Sequence, residues 1–299
     1  AYGASFRREA YHLVPIRVET FAGMIFASLD PLVESLEDYL GEAAPFLEKF
    51  WSHTEVIGRL RWVYQGNWKL WQENFRDNYH PEFVHRFVRD CYEGCLDQGA
   101  NHQLSEGHGL LIMPPVPLNF EQYRVALKNA SGLDIDARGN PNWDVPCLWV
   151  DDGRVDVVLT IFPNLDFTYF VLGTSLALQV LHPQSVARTV VEMIELGRQG
   201  ESAEVRQWRL ERSLHLHAAH GPVTADDVEA LNRCQWGLQA RINRPVNIGR
   251  GQKPGKVGET RDEYSIRSFY AAWRHYMESD SNSTYTKRAG NVHEHDVCC

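Results

Sequence analysis

The sequence predicts an α+β fold in which an antiparallel sheet precedes most of the long helices. Three observations support this prediction. Residues 53–68, "HTEVIGRLRWVYQGNW", alternate in polarity as a long strand does. Residues 145–196 contain several strand-like runs separated by turn signals such as Asp151-Asp152-Gly153, which indicates an antiparallel meander. After Gly200 the pattern changes to helical periodicity.

The elements before the meander are predicted from local signals. Residues 16–30 are rich in β-favouring side chains and end at a turn, so we predict a strand followed by a turn. Residues 35–50 predict a short helix that begins at Ser35. Residues 67–85, "NWKLWQENFRDNYHPEFVH", predict a helix with a break near Pro81, because proline lacks a backbone N–H and disfavours helical geometry in the residue before it.

Three helices are predicted after Gly200. The first runs from Ser202 to His220, and the second begins near Thr224. The third covers residues 261–279 and places its apolar side chains near helical spacing. The polar residues that follow predict a loose tail.

Composition limits the classes of function. The 299 residues are enough for one large domain or two smaller ones. The net charge of −9 argues against sequence-independent nucleic-acid binding, and no apolar run approaches membrane-spanning length. Six cysteines at irregular spacing suggest no disulfide framework, so we expect a reducing cytoplasm. Because residue 1 is alanine and no signal region follows, we expect a fragment or a processed chain.

Two histidines in the interrupted helix, His80 and His85, are the first candidates for chemistry. Five residues on a regular helix leave them about 140° apart, but a break at Pro81 would allow the two imidazoles to converge. Asp77 would share a helical face with His80, and Asn74 lies close by. Each buried polar group needs a partner. The spacing leaves metal binding and ordinary hydrogen-bonded histidines as equal alternatives.

A catalytic iron site with two histidines needs a carboxylate as its third ligand and open positions for oxygen. The candidates are Asp226 and Asp227, at the start of the helix that begins near Thr224. Thr224-x-x-Asp227 also resembles a capping box, with an acid near the positive end of the helix. The sequence does not separate a cap from a ligand.

Residues 67–85 resemble the mononuclear-iron signature of the large (alpha) subunit of Rieske-type aromatic-ring-hydroxylating oxygenases. The pattern Asn-Trp-Lys-Leu, then Glu-Asn-x-x-Asp-x-Tyr-His-x-x-x-x-His, is matched from Asn67 to His85. "IFPNL", residues 161–165, resembles the family's Phe-Pro-Asn segment. "ADDVEALNRCQWGL", residues 225–238, resembles the segment that carries the third ligand. Three matches in the same order cover most of the chain.

The resemblance implies a mononuclear Fe(II) bound by His80, His85 and Asp227, with Asp226 as the less favoured acid. It also implies a helix-grip (START-like) catalytic domain, with a curved antiparallel sheet and long C-terminal helices. Residues 1–50 would be the end of a Rieske domain and a connecting segment. Residues 51–278 would form the mononuclear-iron catalytic domain, and residues 279–299 a polar C-terminal tail.

Three further residues receive roles from the resemblance. Asp77 would join the iron site by hydrogen bonds to the Rieske cluster of a neighbouring subunit and so pass electrons. A nearby carboxylate that accepts the second N–H of a ligating histidine also fixes its tautomer. Asn74 would line or support the site, and Phe75 would face the substrate.

The implied reaction is the addition of O2 to an aromatic substrate in aromatic compound catabolism. The motif is closest to branches that act on aromatic acids, of salicylate, anthranilate or cumate type; monohydroxylation and demethylation remain open. The implied partners are an NAD-linked ferredoxin or reductase as electron donor, two further copies in a homotrimer, and in some members small (beta) subunits. The family's Rieske [2Fe–2S] cluster needs Cys-x-His and Cys-x-x-His, and this sequence contains neither. We expect the intact subunit to carry the cluster.

The alternative from another class is a non-catalytic ligand-binding module of helix-grip type with structural histidines. A second histidine group, His215, His217 and His220, offers another metal site, with His217 and His220 on one helix face. We favour solvated or pocket-edge histidines there. Residues 249–256, "GRGQKPGK", lack the spacing of a phosphate loop and predict a flexible loop.

Overall fold

The computed structural model describes residues 6–51, 53–85, 99–113, 156–169, 176–218, 221–240 and 245–279, with the single residues 3, 125 and 242. Within these ranges the chain forms an N-terminal hairpin, an eight-stranded sheet and several helices, so the α+β prediction is confirmed. The first strand-like run of the predicted meander, the histidine at 220 and the C-terminal tail lie outside the described residues. None of the described helices combines the length and apolar character needed to cross a bilayer.

The N-terminal segment is a hairpin rather than the single strand and turn expected for residues 16–30. Strand β1 (Arg17–Phe21) pairs antiparallel with β2 (Met24–Ser28). Ala22 and Gly23 form the two-residue turn with φ of 50° and 86°. Such turns usually carry Asn-Gly or Asp-Gly. The sequence signal was weak because an alanine occupies the first left-handed position.

The predicted helix over residues 35–50 is divided in two. Ser35 caps α1 (Leu36–Leu40), and its Oγ accepts a hydrogen bond from the Asp38 N–H at 3.1 Å. A 3-10 turn at Gly41–Ala43 then separates α1 from α2 (Ala44–Trp51). The division follows from Gly41, whose φ of 43° does not continue an α-helix.

The large sheet is antiparallel throughout, with strand order β10-β4-β5-β6-β7-β8-β9-β3. The long strand predicted in residues 53–68 is present and pairs with the last strand of the meander at one edge. Three short strands, β4, β5 and β10, were not predicted. The strands are β3 (Thr54–Tyr64), β4 (Ala100–Gln103), β5 (Gly109–Ile112), β6 (Val157–Ile161), β7 (Leu165–Tyr169), β8 (Leu176–Ser185), β9 (Arg188–Arg198) and β10 (Val257–Glu259).

The segment with the histidine pair forms two short helices, α3 (Trp68–Asn74) and α4 (Pro81–Val84). The prediction of an interrupted helix is correct, but the break is longer than one proline requires. Six residues, 75–80, separate α3 from α4, and Asp77 lies in this irregular stretch. Asp77 and His80 therefore share no helical face, contrary to expectation.

Long helices follow the sheet, as predicted. They are α5 (Ala203–His217), α6 (Thr224–Gln239) and α7 (Tyr264–Ser279). The predicted end of α5 at residue 220 is wrong, because Ala218 takes an extended conformation with φ −69° and ψ 170°.

A compact aromatic cluster holds α3 and α6 against the sheet. Trp71 of α3 packs with Tyr64, with Val191 and Leu181 of the sheet, and with Leu231 of α6. The indole N–H of Trp71 also donates to Gln179 at 3.1 Å. Since Leu231 stands one turn after Asp227 on α6, this packing brings the start of α6 beside the segment that follows α3.

A buried polar network fixes the other side of that segment. Arg76 is 1% exposed and donates to Gln72, whose amide donates to both carboxylate oxygens of Asp166. The backbone carbonyl of Arg76 accepts hydrogen bonds from Asn101 and Ser265. Arg76, the residue before Asp77, is thus linked by hydrogen bonds to β7 through Gln72, to β4 through Asn101 and to α7 through Ser265.

Candidate metal centre

The turn between α3 and α4 is organised by the side chain of Asp77. Its Oδ1 accepts a hydrogen bond from the Tyr79 N–H at 3.1 Å, and its Oδ2 accepts one from the His80 N–H at 2.9 Å. His80 is the N-cap residue of α4, and Pro81 takes the first helical position, where no N–H is needed. An aspartate that bonds its own following backbone is a local signal for this turn.

One helical turn then brings the two histidines together. His85 directly follows α4, and its N–H donates to the Pro81 carbonyl at 3.0 Å. The ring centroids of His80 and His85 are 5.4 Å apart, with the rings 77° from parallel. The convergence left open by the sequence is therefore present.

Asp227 meets both imidazoles from the first turn of α6. Its Oδ1 lies 3.0 Å from Nε2 of His85 and 3.7 Å from Nε2 of His80. One ligand atom from each of the three side chains lies within 4.8 Å of the others, the only such group among the described residues. Side-chain exposures of 20%, 5% and 7% for His80, His85 and Asp227 make this a nearly enclosed site.

The donor set fits a divalent transition metal. Two ligand atoms that are each about 2.1 Å from one ion and at right angles to each other lie about 3 Å apart, close to the observed separation of His85 and Asp227. Oδ1 of Asp227 is buried and has no hydrogen-bond partner of good geometry in the described part of the chain. Two imidazoles and one carboxylate are the ligands that non-haem Fe(II) takes while keeping open positions.

Asp227 and His85 shift each other's pKa towards the charged form. Burial alone would raise the pKa of Asp227, but the close contact with His85 outweighs it and holds that pKa below its usual value. Burial would likewise lower the pKa of His85, but Asp227 outweighs it and raises that pKa. A buried carboxylate that stays ionised is suited to bind a cation.

Asp77 supports His80 from the opposite side of the ring. Its Oδ2 lies 3.2 Å from Nδ1 of His80, which leaves Nε2 free to face Asp227. Burial opposes ionisation of Asp77, but the hydrogen bond and charge of His80 keep its pKa below normal. Arg250 lies 3.9 Å from Oδ1 of Asp77, and its guanidinium stacks 4.0 Å from the centroid of the Tyr79 ring. The loop expected over residues 249–256 therefore contributes a cation beside Asp77.

The structure distinguishes among the other candidate residues. Asn74 contributes to lowering the pKa of Asp227, whereas Asp226 is exposed. Phe75 packs against the aromatic cluster, 6.1 Å from the Trp71 ring; its contact with a substrate stays a prediction. The predicted capping box is not observed: the N-cap residue is Val223, which makes no side-chain cap hydrogen bond, and Thr224 lies inside the helix with its hydroxyl near His217.

A scan against protein families matches residues 51–279 to the family described as "Ring hydroxylating alpha subunit (catalytic domain)". The chain is a member of this ring-hydroxylating alpha subunit family. The resemblance read from the iron signature is confirmed, and the family favours the enzyme over the non-catalytic module.

Curated relatives agree with the family. The chain is 28% identical over 289 residues to the terephthalate 1,2-dioxygenase terminal oxygenase subunit alpha 2 of Comamonas sp., covering 92% of this chain and 67% of that one. It is 26% identical over 291 residues to the anthranilate 1,2-dioxygenase large subunit of Acinetobacter baylyi, covering 89% of this chain and 60% of that one. The chain thus spans about two thirds or less of the length of these ring-hydroxylating relatives.

A solved structure supports the fold. Naphthalene 1,2-dioxygenase from Rhodococcus sp., bound to indole, superposes with a TM-score of 0.70 and 23% identity, covering 93% of this chain and 70% of that one. The large antiparallel sheet followed by helices is therefore the fold of a ring-hydroxylating catalytic domain.

Two buried polar residues on segments next to the ligands were not assigned to this site by sequence reasoning. Asn78 is 2% exposed and His217 is 5% exposed. Burial lowers the pKa of His217 to about 4, so the imidazole is neutral. Of the two expectations for this histidine, the solvated one is wrong, and the pocket-edge one stays a prediction. His220 lies outside the described residues. Asn78 occupies the variable position of the Asp-x-Tyr-His part of the motif. Its polarity there was the available signal, but the motif accepts any residue at that position.

Proposed function

We propose that this chain is the catalytic part of the terminal oxygenase of a multicomponent aromatic-ring-hydroxylating dioxygenase. The observation that carries the proposal is the meeting of His80, His85 and Asp227, from two distant parts of the sequence, around one point. In the proposal these three side chains bind a mononuclear Fe(II). When bound, Fe(II) supplies the activation of O2 needed to oxidise an aromatic ring.

The surrounding residues orient the ligands. Asp77 holds the His80 ring through Nδ1, which fixes the tautomer whose Nε2 faces the metal. Asn74 helps to keep the carboxylate of Asp227 ionised, because it lowers the pKa of that group. Asp77 is partly exposed, and we assign it the further role of linking the site to the electron-donating cluster of a neighbouring subunit.

The substrate we propose is an aromatic acid degraded in catabolism. The named substrates of the two curated relatives, terephthalate and anthranilate, are both aromatic carboxylates, which supports this choice. Phe75 is proposed as an apolar contact for the ring.

The electron supply we propose is NAD-linked and passes through a ferredoxin or reductase. The Rieske [2Fe–2S] cluster that receives it has no ligands in this sequence, so it belongs to the intact subunit. The assembly proposed is a cytoplasmic homotrimer, with or without small (beta) subunits, because Asp77 needs a neighbour to link to.

Iron binding tests the proposal directly. The purified chain, incubated anaerobically with Fe(II) and desalted, should retain about one iron per chain, and His80→Ala should abolish retention. His12→Ala removes an exposed histidine from the N-terminal segment and serves as the matched control. A wild-type chain that stays free of iron, or a His80→Ala variant that retains it equally, would falsify the iron assignment.

A further inference from the structure

Asn78 is a buried amide without partners. It is 2% exposed, and neither its Nδ2 nor its Oδ1 has a hydrogen-bond partner among the described residues. Nearly all buried polar side-chain atoms in native proteins are hydrogen-bonded. An amide with both ends unsatisfied destabilises the fold unless water or a ligand completes it.

His217 is a second case of the same kind. It is 5% exposed, its Nδ1 lies 3.4 Å from the hydroxyl of Thr224, and its Nε2 has no partner in the described part of the chain. When the Thr224 hydroxyl donates to Nδ1, the ring proton resides on Nε2. The free nitrogen is then a hydrogen-bond donor that faces away from Thr224.

Both residues border the candidate metal centre. Asn78 stands two residues before His80, in the turn that the Asp77 side chain holds in place. His217 ends α5 and contacts Thr224, which begins the helix that carries Asp227. Through this contact with Thr224, His217 packs against the first turn of α6, the same turn that carries Asp227. One uncompleted donor is therefore carried by the turn that precedes His80, and one by the helix that precedes α6.

We propose that Asn78 and His217 bind the carboxylate of an aromatic acid through Nδ2–H and Nε2–H, and so orient its ring beside the metal centre. This inference rests on the proposed function and deepens it by naming the residues that select the substrate. A site built to hydrogen-bond a substrate group discriminates strongly against an analogue that lacks the group, because its own donors are then left unpaired. An unsubstituted or methyl-substituted ring leaves both donors unsatisfied.

Equilibrium binding tests this selection without any electron supply. The full chain, loaded anaerobically with Fe(II), is titrated with benzoate and with toluene while tryptophan fluorescence is followed. Benzoate should bind at least about tenfold more tightly than toluene. Asn78→Leu and His217→Phe should each lower benzoate affinity about tenfold and leave toluene affinity unchanged or higher, since each loses one hydrogen bond to a charged group. His12→Phe should change neither affinity.

Two further variants keep the test decisive. His217→Gln retains an N–H donor and should recover part of the benzoate affinity that His217→Phe loses. Asn78→Ser replaces Asn78→Leu if the leucine variant fails to fold by far-UV circular dichroism. Unfolding by urea separates binding from structure: Asn78→Leu should be as stable as the wild type or more stable, because it removes an unsatisfied buried amide. A marked loss of stability with unchanged benzoate affinity would overturn the inference.

Iron content separates this inference from the proposed function. A wild-type chain that retains no Fe(II) defeats the proposed function itself. A chain that retains iron but binds benzoate and toluene equally defeats only the assignment of Asn78 and His217.

Discussion

Nε2 of His85 lies 3.0 Å from Oδ1 of Asp227, although the two residues are far apart in the sequence. Asp227 is buried at the start of α6, while its neighbour Asp226 is exposed. Two adjacent acids of one motif thus have different environments, and this difference allows a matched comparison.

We predict that Asp227→Asn lowers the affinity for Fe(II) by at least about tenfold, whereas Asp226→Asn leaves it unchanged. The first substitution removes the negative charge that faces both imidazoles, and the second changes only a solvated group. Anaerobic titration with Fe(II), followed by a colorimetric chelator, measures both. Equal losses in the two variants would contradict the assignment of Asp227.

The contact between Asp77 and His80 leads to a second prediction. Asp77→Ala removes the acceptor for Nδ1 of His80 and two hydrogen bonds to the turn. Loss of such a supporting carboxylate typically lowers metal affinity or activity about 10- to 100-fold. Glu82→Gln, on the adjacent α4, is the control, because its ion pair with Arg261 leaves both side chains more than a quarter exposed and is worth about 1 kcal/mol or less. Iron affinity unchanged in Asp77→Ala would contradict the supporting role.

The third prediction concerns the buried Arg76. Arg76→Met leaves Asp166 and Gln72 buried without the guanidinium, so we expect a loss of about 3–5 kcal/mol in the free energy of unfolding. Arg61→Met is the control, since Arg61 is 65% exposed and pairs with Glu192 at the sheet surface. The free energy of unfolding of the Arg61→Met variant should fall by about 1 kcal/mol or less. Urea unfolding of the whole chain gives both values, and comparable losses would show that the network is dispensable.

Glu195 gives a prediction about pH. It is 2% exposed and accepts a hydrogen bond from Ser213, and burial raises its pKa to about 7. In the unfolded chain the pKa of this glutamate is about 4.3, so the folded state binds the proton more tightly than the unfolded state does. The proton bound to Glu195 therefore stabilises the folded state fully below about pH 4, and this stabilisation is lost as the pH rises through about 7.

Glu195→Gln keeps the acceptor oxygen without the charge. Relative to the wild type, its free energy of unfolding should therefore improve between pH 5 and pH 8 by up to roughly 3 kcal/mol. Glu192→Gln is the control on the same strand: the hydrogen bond from Arg61 lowers the pKa of Glu192, so its titration lies below this range. Urea midpoints at the two pH values measure the effect. A difference between wild type and Glu195→Gln that does not change with pH would refute the raised pKa.

Some elements were predictable and others were not, for identifiable reasons. The long strand β3 and the meander after residue 156 follow from side-chain alternation and turn residues. Strands β4 and β10 are short, and β4 contains Asn101, a polar residue that the fold uses inside a buried network. Local patterns carry no information about such use, because the partners are distant in the sequence.

The sequence by itself determined the α+β class, the histidine pair with its break at Pro81, and the family, because those depend on local spacing and on a long motif. Only the tertiary structure decided between Asp227 as a helix cap and Asp227 as a partner of the histidines. The reason is physical: Trp71 and Leu231 pack in one cluster and bring α3 and α6 together. Asn78 and His217 are likewise buried only in the folded chain, and whether a polar atom finds a partner is a property of the folded chain alone.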